Sequence, residues 1–478
     1  MDYRPRYHAS VRSGWGNDPN GLIYYNNKAH LFFQHYPFAP QWGPMHWGHF
    51  TSEDFIYWKE EPVALYPDQE YEQNLGCWSG TSIEIDGKMY LAYTCSRPGL
   101  QRQCLAFSED GGITFRKFDE NPVVSPDQMN GLILAGDFRD PKIFTHDGSY
   151  YMICGTRIPQ EGKHSRGNLI LLRSGDLVNW TFVGFMLHQQ DGFPSEYFDL
   201  DGCYECPDHF YLKGKEVMLA SPQCLPQMGN RYQNKHCVVY MTGQTDFETG
   251  RFHLDEYQDL DSGFDLYAPQ TMTLPDGRVI MIAWKEMWAR TWYTGEQGFV
   301  GTYTLPRELE YRDGRLYQYP VREIEKFRGA KTSLEQVRIH DGGIEIGGFS
   351  GNVYELNLVM RREDARRMGV KVLKGRQHET AVYLDADERT VVFDRTRGGR
   401  EIRGEEENNC TRKCDIERID MVELRIFVDV TSVEVFVDGG RYTFTGNIYP
   451  DEEDRGIVFF AEGGSCMIES AVRYDIDV

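Results

Sequence analysis

Gly21-Leu-Ile-Tyr-Tyr-Asn-Asn-Lys-Ala-His-Leu-Phe-Phe-Gln34 is an apolar run, a polar turn and a second apolar run, and the chain repeats this phrase four more times. The copies are Gly80–Tyr93 around Asp86-Gly87, Asp140–Ile153 around Asp147-Gly148, Cys206–Leu219 around Lys213-Gly214 and Pro269–Ile282 around Asp276-Gly277. Apolar stretches joined by Asn-Asn, Asp-Gly or Lys-Gly are the sequence form of a β-hairpin. The starts recur about every 60 residues, too long for one hairpin and right for four short strands with loops, so the period predicts a propeller of about five blades. A second phrase supports the count. Ser52-Glu-Asp-Phe-Ile-Tyr-Trp58, Ser108-Glu-Asp-Gly-Gly-Ile-Thr-Phe115 and Ser174-Gly-Asp-Leu-Val-Asn-Trp180 follow their hairpins at similar distances. The aromatic that ends each phrase is suited to filling the gap between neighbouring blades.

Beyond Trp284 the repeats stop. A charged stretch, 321–336, suggests a short linker helix, and from about residue 337 short alternating strands separated by Asp, Gly and Asn turns predict a β-sandwich. The expected organisation is therefore all-β: a five-bladed propeller over 1–310, a linker over 311–336 and a sandwich over 337–478. A chain of 478 residues is long for one core, which agrees with two domains. A formal charge of −22 argues against nucleic acid or an anionic membrane as partner. No apolar core of a leader follows Met1, and no window approaches 18 uninterrupted apolar residues. Eleven scattered cysteines, several within strand-like runs, read as reduced thiols, so the expected location is the cytoplasm. Cys203 with Cys206, and Cys410 with Cys414, lack partner pairs at zinc-site spacing, so no metal and no cofactor are expected.

Laying the hairpins over one another aligns three acids. Asp140 begins its unit, Glu205 immediately precedes Cys206, and Asp18 lies just before Gly21. In a propeller the equivalent ends of the innermost strands gather around the axis, so these carboxylates are expected to meet in one pit. Close carboxylates repel, which pushes at least one pKa upward. One acid that holds a proton beside another that stays ionised meets the requirements for cleaving a glycosidic bond. Trp15, Asn17, Gln34, Trp42, Trp47, Trp78 and Ser79 cluster at the same ends and have the composition of a sugar pocket, flat faces for the ring and amides or hydroxyls for its OH groups.

At these residues the chain resembles glycoside hydrolase family 32, which includes invertases, fructanases and sucrose-6-phosphate hydrolases. The matching motifs are Trp15-Gly-Asn-Asp-Pro-Asn-Gly21, His30-Leu-Phe-Phe-Gln34, Trp47-Gly-His49, Trp78-Ser-Gly80, Arg139-Asp-Pro141, Glu205-Cys-Pro207, Phe264-Asp-Leu-Tyr-Ala-Pro-Gln270 and Thr304-Leu-Pro-Arg-Glu-Leu309. The resemblance implies a propeller joined to a sandwich and retaining hydrolysis of β-fructofuranosides. It implies Asp18 as nucleophile, Glu205 as acid/base and Asp140 as stabiliser of the transition state, with Asn17, Gln34, Trp42, Trp78, Ser79 and Arg139 around the fructose. The chain departs from the family at Gly16, where many members carry Met, and looser packing beneath Asp18 or a wider pocket is the expectation there. The expected substrate is sucrose or its 6-phosphate. An exo-acting fructanase and a non-enzymatic carbohydrate-binding propeller are the alternatives. Lys163-His-Ser-Arg166 and Arg231-Tyr-Gln-Asn-Lys235 are the candidate phosphate loops.

Overall fold

A computed structural model describes residues 2–162, 164–194 and 200–478. Five antiparallel sheets begin with the inner strands Gly14–Tyr25, Gly76–Ile85, Phe138–His146, Tyr204–Leu212 and Tyr267–Thr273. Each inner strand touches the inner strands of the blades before and after it, and the fifth touches the first, so the ring closes. The fold is a five-bladed propeller followed by a β-sandwich. Four of the five quoted turns place two consecutive residues at positive φ: Asn26-Asn27, Asp86-Gly87, Asp147-Gly148 and Lys213-Gly214. That backbone matches the right-handed twist of the flanking strands.

The second repeated phrase is a capped turn. Ser52, Ser108 and Ser174 accept backbone N–H groups through Oγ, and Asp54, Asp110 and Asp176 each accept two more through Oδ1. Asp246 repeats the carboxylate half of this device in the fourth blade, where no serine flags it. The aromatics pack as expected: Phe115 meets Phe32 edge-on at 5.5 Å, and Trp180 is buried in the core beside the third blade.

The ring is fastened where the chain leaves and re-enters it. Phe299–Val300 pairs in parallel with Gly14 and Trp15, and Val11 N donates to Gly301 O at 3.0 Å. The fifth blade is completed by Arg307–Arg312 and Arg315–Pro320, so its last hairpin runs across residue 310. The charged stretch expected as a linker helix is one 3₁₀ segment, Arg322–Phe327, after which the chain enters a strand at Arg328. A helix there would forfeit the sheet pairing that Arg328–Ser350 makes along the edge of the sandwich.

The sandwich is one ten-stranded sheet folded over on itself. Gly456–Ile476 serves both layers: its first half pairs with Arg367–Lys374 and its second with Tyr354–Arg362. Side chains from both layers, among them Leu356, Val370, Ile426, Val435 and Phe459, share one core. Sequence patterning missed Arg328–Ser350 because this edge strand is largely exposed and polar, with little apolar alternation to betray it.

Candidate active site

Each inner strand is interrupted near its start by a bulge, and the bulged residues include Asp18, Ser79, Asp140, Cys206 and Ala268. Four of these precede proline: Asp18-Pro19, Asp140-Pro141, Cys206-Pro207 and Ala268-Pro269. Proline removes one ladder donor and re-aims the residue before it, which suits an interruption better than a continuous strand. The second blade uses Gly80 instead, because a Cβ there would lie 1.9 Å from the carbonyl oxygen of Ala92. Asp140, Cys206 and Ala268 adopt φ of 60°, 47° and 51°. Such backbone strain in non-glycine residues concentrates at functional sites.

The five bulges set two ranks of residues at equivalent places in the blades. Asp18, Ser79, Asp140, Cys206 and Ala268 form one; the residues before them, Asn17, Trp78, Arg139, Glu205 and Tyr267, form the other. Glu205 therefore stands one residue out of step with Asp18 and Asp140. Contacts tie the ranks together. Ser79 Oγ donates to Asp18 Oδ2 at 2.7 Å, and Cys206 Sγ lies 3.5 Å from Asp18 Oδ2 and 3.6 Å from Asp140 Oδ2. Cys206 N donates to Asp140 Oδ2 at 2.9 Å. Arg139 reaches Glu205 Oε1 through Nε at 3.1 Å and Nη2 at 2.9 Å, while the Tyr267 hydroxyl donates to Oε2 at 2.6 Å. Both oxygens of Glu205 are thus held by donors from the flanking blades.

The three expected acids meet in one pit. Burial lifts the Asp18 carboxyl to about 6, opposed by the Ser79 hydroxyl and reinforced by the charge of Glu205. Burial likewise lifts Asp140 to about 7, against the pull of Arg139 and with the negative charges of Glu205 and Asp18 adding to it. Burial outweighs the favourable neighbours in both cases.

The expected sugar contacts divide. Asn17 Oδ1 accepts from Trp15 Nε1 at 2.7 Å, and Gln34 Nε2 donates to Cys77 O at 3.0 Å, so each buried amide is oriented by an internal bond. Trp42, 42% exposed, meets the half-buried Trp78 edge-on at 6.2 Å and forms an aromatic rim. Phe38, also exposed, meets Tyr36 edge-on at 5.4 Å and went unnoticed in the sequence. Trp47 is wholly buried with Nε1 on Trp78 O, and Trp15 is buried among Trp284, Trp288 and Trp292; both are core residues beneath the site. Ser79 spends its hydroxyl proton on Asp18.

The Gly16 expectation is corrected by the packing. A Cβ at residue 16 would lie 2.5 Å from Val11 Cγ1 and 3.1 Å from the Tyr303 hydroxyl, and Gly301 runs alongside. The space is filled by these neighbours, so the pit is neither loosened nor widened.

Of the candidate phosphate loops, Lys163 lies outside the described residues. Arg231 pairs with Asp259, Lys235 with Glu405, and His164 with Asp201. All eleven cysteines are free thiols, nine of them buried. Among the described residues no helix is long and apolar enough to cross a membrane.

Residues 8–320 match the glycosyl hydrolases family 32 N-terminal domain, and residues 323–475 match the family 32 C-terminal domain. The chain belongs to glycosyl hydrolase family 32. A sucrose-6-phosphate hydrolase of Zymomonas mobilis is 33% identical over 99% of this chain and 92% of its own length. The raffinose invertase of Escherichia coli is 34% identical over 97% and 93%. Among solved structures, the sucrose-6-phosphate hydrolase from Lactobacillus gasseri superposes with a TM-score of 0.87 at 26% identity, covering 100% of this chain and 94% of that one. A mutant Bombyx mori GH32 beta-fructofuranosidase in complex with sucrose gives 0.80 at 33% identity, covering 98% and 93%.

Proposed function

We propose that this family 32 chain is a retaining β-fructofuranosidase that hydrolyses sucrose or sucrose 6-phosphate, with Asp18, Glu205 and Asp140 as its working carboxylates. The observation that carries this reading is the division of labour in the pit. Asp18 is buried and positioned by Ser79 and Cys206, whereas Glu205 is gripped on both oxygens by Arg139 and Tyr267. Asp18 attacks the anomeric carbon of the fructosyl unit as the bond to the glucosyl oxygen breaks, and Glu205 gives that oxygen its proton. Glu205 then takes a proton from water, which attacks the fructosyl ester and frees Asp18. Asp140, with its backbone N–H on Thr94 Oγ1, holds fructose hydroxyls and offsets the positive charge that develops on the ring.

Sucrose as substrate class is favoured by the relatives' printed activities and by a site that is closed beneath and rimmed by aromatics. Of the cations first suspected of binding phosphate, His164, Arg231 and Lys235 are engaged with carboxylates, which favours the unphosphorylated disaccharide as the better substrate. Competition between sucrose, sucrose 6-phosphate and a short inulin oligomer tests this directly. Rapid NMR of the first product tests the mechanism: β-fructofuranose must appear first, and initial release of the α-anomer would exclude a fructosyl-enzyme. Direct attack also requires the Asp18 and Glu205 carboxyls to stand about 5–5.5 Å apart, against about 6.5–9.5 Å for an intervening water.

A further inference from the structure

Asp18 has one oxygen in use and one idle. Oδ2 takes Ser79 and Cys206, but Oδ1 is buried and has no hydrogen-bond partner among the described residues; the neighbouring Asn17 amide lends electrostatic support without a well-formed bond to that atom. A second idle group lies nearby. Tyr303 is wholly buried, its hydroxyl has no partner among the described residues, and that hydroxyl lies 3.1 Å from where a Cβ on residue 16 would stand, two positions before the nucleophile.

We propose that Tyr303 is a positioning residue for the nucleophile, its hydroxyl supplying the hydrogen bond that Asp18 Oδ1 takes when the carboxylate is ionised. The proposal rests on the reading of Asp18 as nucleophile. Two buried, unsatisfied groups of opposite hydrogen-bonding character gain by serving one another, because each otherwise bears its full desolvation cost. Besides burial, the charge of Glu205 raises Asp18, contacts from Ser79, Asn17 and Cys206 lower it, and Asp140 stands close enough to feel the Asp18 charge; the groups that bear on Tyr303 are Asp18 and Glu286. Glu286 is the rival acceptor, since its Oε2 is also unpartnered. Its Oε1 is already held by Gly301 N and Thr302 Oγ1, and burial pushes its carboxyl up to about 8, so near neutrality it is an uncharged acid. An ionised Asp18 is the stronger acceptor.

Tyr303→Phe removes one oxygen and keeps the ring that packs against Phe33. A donor to the charged form favours ionisation, so its loss makes Asp18 harder to ionise. The acid limb of kcat/KM for sucrose is expected to move up by about one pH unit, a roughly tenfold loss well below the limb, with rates converging on the parent at high pH. The loss should fall on kcat and leave KM little changed. An acid limb at the parent's position overturns the proposal, however far the plateau drops. Melting temperatures give a second readout independent of activity: Tyr303→Phe should destabilise the Asp18 protein more at high pH than at low, and that pH dependence should vanish in an Asp18→Asn background. A pH-independent loss common to both backgrounds assigns Tyr303 to packing alone and also overturns the proposal. Near-full turnover by Asp18→Asn would instead sink the nucleophile reading, and this role with it.

Discussion

Asp18 and Asp140 are held in a state that favours function over stability. Their carboxyls are raised by burial, so between the ordinary carboxylate range and about 6 or 7 the folded protein holds protons that the unfolded chain has released. Stability contributed by these groups is therefore present at low pH and lost as pH rises through the folded values. Asp18→Asn is expected to raise the melting temperature at pH 8, by an amount equivalent to roughly 1–3 kcal/mol, and to change it little at pH 4. The same variant should lose several powers of ten in turnover. Equal melting temperatures at pH 8 would mean that the carboxylate is better solvated than its burial implies. Because Asp18 must be ionised to attack, kcat/KM should fall as pH drops below about 6 to 7, with the limb reporting Asp18 and Asp140 together.

Glu205 contributes to that limb from outside. Its negative charge is one of the causes that raise Asp18, so Glu205→Gln should ease the ionisation of Asp18 and shift the acid limb to lower pH. An aryl fructoside is the substrate for this measurement, because a good leaving group needs little protonation and first-step cleavage survives the loss of the acid. Sucrose hydrolysis should suffer far more than aryl fructoside cleavage, and equal pre-steady-state losses would remove Glu205 from the acid role. The three acids were legible in the sequence because each sits in a motif at a strand start. Tyr267 and Cys206 lie in the same motifs, where Cys206 reads only as a thiol without zinc-site partners. Aligning the chain on its X-Pro pairs, with Ser79-Gly80 as the exception, places Tyr267 in register with Glu205 and Arg139; that alignment was the available signal.

At the level of the strand, the site depends on bulges, and the second blade's depends on Gly80. Gly80→Ala would place a methyl against the Ala92 carbonyl and the Tyr93 backbone, neither of which can turn aside as a flexible side chain would. The strand must shift, taking Ser79 and its bond to Asp18 with it. A fall in melting temperature accompanied by a fall in kcat is the expected result. Gly175→Ala is the control: it lies in the Ser174–Asp176 turn, with open space around its Cβ position and no positive φ, and should be neutral or stabilising by about 0.4–1 kcal/mol. If Gly80→Ala behaves like Gly175→Ala, the bulge is not fixed by that contact. The hairpins were readable because period, turn and apolar alternation agreed. The bulges were less so: four of the five carry a proline, but a lone X-Pro pair marks turns and edge strands as well.

Across the whole molecule the propeller and sandwich are locked by buried charge. His8 lies 2.7 Å from Asp429 Oδ2 and 2.8 Å from Glu434 Oε1, and Arg307 donates to Glu434 Oε2 through Nη2 at 2.6 Å and to Asp261 Oδ2 through Nη1 at 3.1 Å. Sequence patterning showed a propeller followed by a sandwich but could not expose this seam, because the pairs that cross it, His8 with Asp429 and Glu434 and Arg307 with Glu434, stand more than a hundred residues apart. Burial alone would raise Glu434, yet Arg307 and His8 outweigh it and hold the carboxyl at about 2, below its ordinary 4.5. A depressed folded pKa gives stability that is present above about 4.5 and lost as pH falls through about 2. Glu434→Gln should therefore cost stability at pH 7, roughly 3–5 kcal/mol if Arg307 is left under-paired. It should also flatten the acid side of the stability curve, since the group that takes up a proton on unfolding has gone. Urea midpoints for parent and variant at pH 7 and pH 3 decide it: the gap must narrow at the lower pH. A gap of constant width would show that Glu434 holds the domains together by shape and neutral hydrogen bonds rather than by charge.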